Sequence, residues 1–195
     1  MPAETQAALQ QLACLGNVAE ITLLSTVLGK SKGDVRSILW DAARLELVEL
    51  LGGSCKFIHD RVQEAAYSLI PEHRRAEAHL RIGRLLAAHT PAEKRDEAIF
   101  EIVNQLNRGA VLIASPEERE QLAEFNLQAG RRAKSSAAYA SALAYLTAGA
   151  ALLPQDSWER RHELTYALEL DRAECEFLTG ALALGARSPS RQGVH

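Results

Sequence analysis

The residues with the clearest chemical potential in this 195-residue chain are His59 and Asp60. Val62, Ala65, Ala66, Leu69 and Ile70 follow them at the spacing of one helix face. Asp60, with Gln63 three positions on, has the acceptor-then-amide pattern of a helix N-cap. His59 then stands just outside a helix N-terminus, where backbone N–H groups and the helix dipole favour an anion. An imidazole N–H placed there is a good phosphate partner. The same ring could equally fill a joint between two elements, and the residues leave both readings open.

Other candidate chemistry is weaker. Gly29-Lys30-Ser31 matches the end of a phosphate-binding loop, but position 24, where the first glycine belongs, is Leu24. Capping of the next helix explains these residues better. His73, His79 and His89 lack metal-ligand spacing, and Cys14, Cys55 and Cys175 form no CxxC pair. No serine or cysteine nucleophile stands in a motif, so an enzyme is not expected. Arg131, Arg132 and Lys134, with Arg160 and Arg161, read as solvated helix faces, with an acidic-peptide groove as the alternative.

The elements that must position these groups are mostly helices. Nearly half the residues are hydrophobic, largely Ala and Leu with few aromatics, and prolines are few. A first helix around Ala7–Leu15 stops near Gly16, and a second runs from Val18 to Gly29. Ser31 and Asp34 stand in cap spacing for a third, whose buried face is Val35, Ile38, Leu39, Ala42 and Leu45. LVELLGGSCKFI then predicts a β-hairpin around Gly52-Gly53. Three helices and a hairpin follow the order of a winged helix. Its third helix would be the DNA reader, yet the first sixty residues hold five lysines and arginines against seven carboxylates. Phosphate neutralisation needs a more basic face, so nucleic acid is not expected. Trp40 on that helix reads as an anchor for a neighbouring domain.

From Asp60 onward only helices are predicted. Pro71, Thr90-Pro91, Ser115-Pro116 and Asp156 mark successive starts. Gly130, Ala142, Leu146 and Pro154 fit the small, small, large and proline positions of a degenerate tetratricopeptide (TPR) repeat, and Phe177–Gly180 looks like the turn of a following one. The expected class is mainly α: a winged-helix-like domain over 1–60, a TPR-like antiparallel helical array over 61–184, and a disordered tail over 185–195. An array stopping mid-repeat reads as a fragment. The net charge of −3, the absence of a signal sequence and of a spanning apolar run, and unpaired cysteines point to a cytoplasmic protein without a membrane partner.

At Ile58-His59-Asp60 the sequence resembles the Met-His-Asp motif of STAND-type signalling ATPases, relatives of the AAA proteins. The wider phrase, from Phe57 through Tyr67 and then His79–Gly83, is similar to bacterial multidomain sensor proteins. These join a Ser/Thr-kinase-like domain, an ATPase module, a helical region, a GAF domain and a histidine kinase. Ile102–Gly109, Ala129–Lys134 and Glu174–Gly180 also look like that family, so the likeness spans about residues 5–184. The resemblance implies that His59 contacts the β-phosphate of ADP and that Asp60 fixes the helix start. It also implies that ATP or ADP binds only together with an upstream P-loop domain, since no Walker element precedes His59 here. The expected role is a non-catalytic segment that couples nucleotide state to downstream signalling domains, as in two-component systems, through protein–protein contacts. A free-standing TPR-like peptide adaptor and, less well supported, a winged-helix DNA-binding regulator are the alternatives.

Overall fold

The computed structural model describes residues 1–186, with side chains through Gly180. Among the described residues it is mainly helical, with ten α-helices and one small three-stranded antiparallel sheet. The expected disordered tail lies outside the described residues from 187 onward. The chain divides into two compact units, Met1–Pro91 with Asn104–Leu112, and Ala92–Val103 with the residues from Ile113.

The first unit opens with α1 (Ala3–Leu15), whose Ala8, Leu9, Leu12 and Ala13 are buried, and which stops at Gly16 with φ +132°. Val18–Glu20 is not the start of a helix, as the apolar spacing predicts, but a short strand β1. It pairs with β3 (Ser54–Phe57), and the Phe57 N–H reaches the Asn17 carbonyl at 2.9 Å. Backbone pairing decides the conformation there, and burial alternates with Ala19 inside and Val18 half exposed. Helix α2 (Ile21–Leu28) ends at Gly29, whose φ of +64° is a left-handed cap. Helix α3 (Lys32–Arg44) starts as the sequence predicts, with Ser31 Oγ accepting the Asp34 N–H at 3.1 Å. Strand β2 (Val48–Leu51) and β3 form the expected hairpin through Gly52-Gly53, and the sheet order is β1-β3-β2.

Leu12, Leu24, Leu39, Val48 and Phe57 form the centre of one core over this sheet. Each such side chain withdrawn from water stabilises by roughly 1.5–3 kcal/mol. Helix α4 (Asp60–Ser68) packs on α1 and contributes Ala66, Val62 and Tyr67 to that core. Helix α5 (Glu72–His89) and the second half of α6 (Arg95–Gly109) complete the unit. Gly109 ends α6, and Ala110–Leu112 forms a separate 3₁₀ turn. Thr90 caps the end of α5 instead of starting a helix, and Ala92–Lys94 is likewise a 3₁₀ turn.

In the second unit, α7 (Pro116–Ser135) begins at the expected cap, with Ser115 Oγ accepting the Glu118 N–H at 3.3 Å. Helix α8 (Tyr139–Leu152) runs antiparallel to it: Gly130 faces Leu146, and Gly149 faces Asn126. A Cβ on Gly130 would come within 2.6 Å of Leu146, so the small residue sets the helix spacing. Asp156 precedes only a four-residue helix, α9 (Ser157–Arg160), and makes no side-chain cap bond. Helix α10 (His162–Ala186) then packs against α8 and α7 together, with Leu168 meeting the same Gly149 that faces Asn126. The turn expected at Phe177–Gly180 is absent, because α10 continues through it and through Gly185. Ion pairs join Arg131 to Asp171 and Lys134 to Glu174, so α7 and α10 are parallel neighbours in constant register. The buried side of α8 is Ala142, Leu146 and Gly149, and its exposed side carries the small residues Ser141, Ala144, Thr147 and Ala151.

Candidate functional site

His59 lies where the sheet hands over to α4. The Ile58 N–H donates to the Leu47 carbonyl at 3.2 Å, which holds the chain extended up to His59 (φ −138°, ψ 143°). The residue in the N-cap position is therefore His59, and Asp60 is the first helical residue. This corrects the cap expected at Asp60: its carboxylate sits in the first turn and acts through the helix dipole. The His59 carbonyl accepts the Val62 N–H at 2.9 Å, while its imidazole is exposed and takes no hydrogen bond from the described residues. Among the described residues, the exposed His59 imidazole is the group that stands at this helix start. Gly29-Lys30-Ser31 adds nothing to it, since Gly29 caps α2, Lys30 pairs with Glu4 at 3.4 Å and Ser31 caps α3.

Behind α4 lies a feature that spacing alone does not expose. The Tyr67 hydroxyl is 2.9 Å from His79 Nε2 on α5, and His79 Nδ1 is 2.7 Å from Gln105 Oε1 on α6. Gln105 Nε2 donates in turn to the Cys14 carbonyl at the end of α1, at 2.9 Å. The chain of bonds fixes the proton positions. With its amide nitrogen on Cys14, Gln105 presents its oxygen to the ring, so Nδ1 carries the proton and Nε2 accepts from Tyr67. His79 and Gln105 are buried, and burial pushes the His79 pKa below the usual histidine range. The Gln105 bond opposes that shift, and the Arg108 charge reinforces it. Arg75 covers the Tyr67 ring at 4.9 Å, and Arg81 donates to the Val27 carbonyl at 3.0 Å.

Glycines let α5 and α6 approach closely enough for these bonds. A Cβ on Gly83 would meet Leu106 at 2.7 Å, and one on Gly109 would meet Leu80 at 2.6 Å. The two contacts are reciprocal across an antiparallel pair. Tyr67, His79 and Gln105 are thus one rigid polar joint linking α4, α5, α6 and α1 within the first unit. A signal for it exists in the sequence: His79 stands in register with Ile82, Gly83 and Leu86, and Gln105 with Ile102 and Gly109. A polar residue in a buried register needs a partner.

The basic residues expected on open faces stand at the surface of the second unit, where each meets a carboxylate or an aromatic ring. Arg131 meets Asp171 at 2.7 Å, and Lys134 bridges Asp171 and Glu174. Arg161 pairs with Glu120 and Glu124, Arg160 with Asp156, and Arg132 lies over the Phe100 ring at 5.4 Å. Burial pushes the Asp171 carboxyl up, but the bonds from Lys134 and Arg131 outweigh it and its pKa falls below the usual range. Burial raises Cys14 to about 11 and Cys55 to about 12, so both thiols stay protonated and unreactive near neutrality. Among the described residues no group of three His, Cys, Asp or Glu side chains could hold a metal, and no helix is long and apolar enough to cross a membrane.

No family model and no solved structure matches the chain. It is similar to "Hybrid signal transduction histidine kinase G" of Dictyostelium discoideum, 29% identical over 148 residues, which covers 64% of this chain and 4% of that protein. The chain therefore spans a small part of the length of a signal-transduction kinase that it matches.

Proposed function

We propose that this chain is a non-catalytic transmission segment of a STAND-type signalling ATPase within a multidomain sensor kinase. A winged-helix-like part over residues 1–60 would rest on a nucleotide-binding domain. The TPR-like array over 61–184 would carry its state to downstream signalling domains. The order α1-β1-α2-α3-β2-β3, with β1 added to the hairpin, supports the winged-helix reading. The hairpin α7–α8 and the parallel stacking of α10 on α7 support the repeat reading. Similarity to part of a hybrid histidine kinase supports the signalling context.

The observation that carries the proposal is the short path from His59 to the buried joint. His59 caps α4, and Tyr67, near the other end of the same nine-residue helix, is bonded to His79. A phosphate drawing on His59 would displace α4 as a rigid rod, and Tyr67 would deliver the movement to α5 and α6. ADP or ATP would be held mostly by residues of another domain. In a protein that joins this chain to its nucleotide-binding domain, His59→Ala is expected to speed ADP release. His79→Phe is expected to leave ADP release unchanged while weakening the effect of nucleotide on the downstream output. Unchanged ADP release in His59→Ala removes the nucleotide role. ATP turnover by the 195-residue chain alone would overturn the non-catalytic reading.

The adaptor reading loses its strongest support with the internal pairing of Arg131 and Lys134. For the DNA-binding reading, Arg36 on α3 donates to the Gly52 carbonyl and so braces the hairpin. Trp40, 60% exposed on the same helix, suits a protein surface better than a phosphate backbone.

A further inference from the structure

Between the end of α8, the short α9 and the first half of α10, the second unit holds a cleft of about 290 Å³. Leu153, Pro154 and Leu168 give it an apolar wall, and Ser157, Thr165 and Glu169 its polar groups, with Trp158 beside them. That volume suits a single side chain and lies at the lower limit of a small-molecule pocket. Ser157 is only 5% exposed, and its backbone N–H and carbonyl are used within the turn, with Pro154 and Arg161. Its hydroxyl has no hydrogen-bond partner among the described residues, which is unusual for a buried polar group and points to one that enters the cleft.

The other groups fix the sign of what enters. Thr165 spends its hydroxyl proton on the Arg161 carbonyl at 3.0 Å, so toward the cleft it can only accept. The Glu169 carboxylate also only accepts: Arg172 takes its Oε2 at 2.6 Å, and Oε1 takes no bond from the described residues. No Lys, Arg or His is among the described residues that line the cleft. Helix α8 ends here without a basic residue in its last turn, so the negative end of its dipole is left to the cleft. Trp158, 47% exposed, is held in a T-shaped contact with His162 at 5.7 Å and offers an indole ring to a cation. We propose that this cleft binds a primary ammonium on a short alkyl stem, the group that a lysine side chain or a free diamine carries. The stem lies on Leu153, Pro154 and Leu168, and the ammonium donates to Ser157, Thr165 and Glu169. Three acceptors on three residues match the three N–H bonds of an ammonium better than the planar fork of a guanidinium. Such a site needs no nucleotide and no upstream domain.

The test is proton–nitrogen correlation NMR on the 195-residue chain, titrated at constant ionic strength with N-acetyl-lysine methylamide and, in a second arm, with diaminobutane. Shifts are expected at the backbone amides of Ser157, Trp158 and Thr165, with a dissociation constant of about 1–10 mM. N-acetyl-norleucine methylamide has the same stem without the nitrogen and should bind at least about tenfold more weakly. Glu169→Gln should weaken the lysine amide about tenfold, Ser157→Ala about fivefold and Trp158→Ala about threefold, with cross-peaks remote from the cleft unchanged. Tighter binding of the lysine amide identifies a protein side chain as the source, and tighter binding of the diamine a free amine; either supports the ammonium site. Absence of shifts at these amides up to about 50 mM overturns it. So does norleucine amide binding as well as lysine amide, and so do three folded variants that bind like wild type.

Discussion

Replacing His79 with Phe tests the buried joint directly. Phe keeps most of the volume but offers no ring nitrogen, so the Gln105 oxygen loses the His79 donor in a site where Gln105 is 6% exposed. A buried acceptor left unpaired costs about 1–3 kcal/mol, and the lost Tyr67 bond adds about 1, giving about 2–4 kcal/mol in all. Tyr67 is only partly buried, so its hydroxyl can turn to water and its share stays at the low end. The assay is urea unfolding at pH 7.5 in a Trp158→Phe background, where Trp40 alone reports on the first unit. A double-mutant cycle with Gln105→Leu separates the bond from the packing. If the oxygen is the costly group, removing it should make the second substitution cheaper by about 1–3 kcal/mol. Additive losses would refute the reasoning, since the two side chains would then act independently. The joint also has a pH signature. His79 is held below its unfolded pKa, so the unfolded chain takes up the proton first and stability is lost as pH falls below about 6.5. It is complete above that value. That slope should be missing from His79→Phe.

Gly130→Ala drives a Cβ to 2.6 Å from Leu146 and should destabilise the second unit by about 1–3 kcal/mol, with partial rescue by Leu146→Val, read by thermal unfolding. Gly109→Ala should cost a similar ~1–3 kcal/mol in the first unit, because the neighbours include the Ala76 carbonyl, a backbone atom that cannot move aside cheaply. Asp171→Asn leaves Lys134 with Glu174 as its remaining carboxylate and Arg131 without its partner. Because the Asp171 pKa is lowered on folding, the wild-type contribution is present above the unfolded value near 3.8 and lost as pH falls below it. The variant should be less stable at pH 7 and show a flatter loss in acid, by urea unfolding followed at Trp158. Ser115→Ala should lower helicity at the start of α7 and cost about 1 kcal/mol through the lost cap.

Local signals translated well where a short-range interaction was decisive. Ser31 and Ser115 cap their helices because each hydroxyl meets an N–H three residues away, a bond that tertiary context hardly alters. Gly29 ends α2 for the same reason, since a left-handed residue is needed there. Val18 misled because its apolar spacing fits a helix, while the decisive bonds come from β3, nearly forty residues later. Thr90 and Asp156 carry cap chemistry, yet the chain around them forms a 3₁₀ turn and a four-residue helix. Asp60 was displaced from the cap by one residue because the sheet edge holds His59 extended. At the candidate site, His59 and its place at a helix start were readable. Its connection to Tyr67, His79 and Gln105 was not, because bonds across 12, 26 and 91 residues leave no local pattern.

The sequence by itself determined the mainly helical class, the hairpin, most helix limits and the exposed imidazole beside α4, all from periodicity and capping over a few residues. The tertiary structure alone decided which polar groups are buried together and which cations are consumed in ion pairs. Those outcomes depend on the approach of elements distant in the chain, and on glycines whose missing side chains make that approach possible.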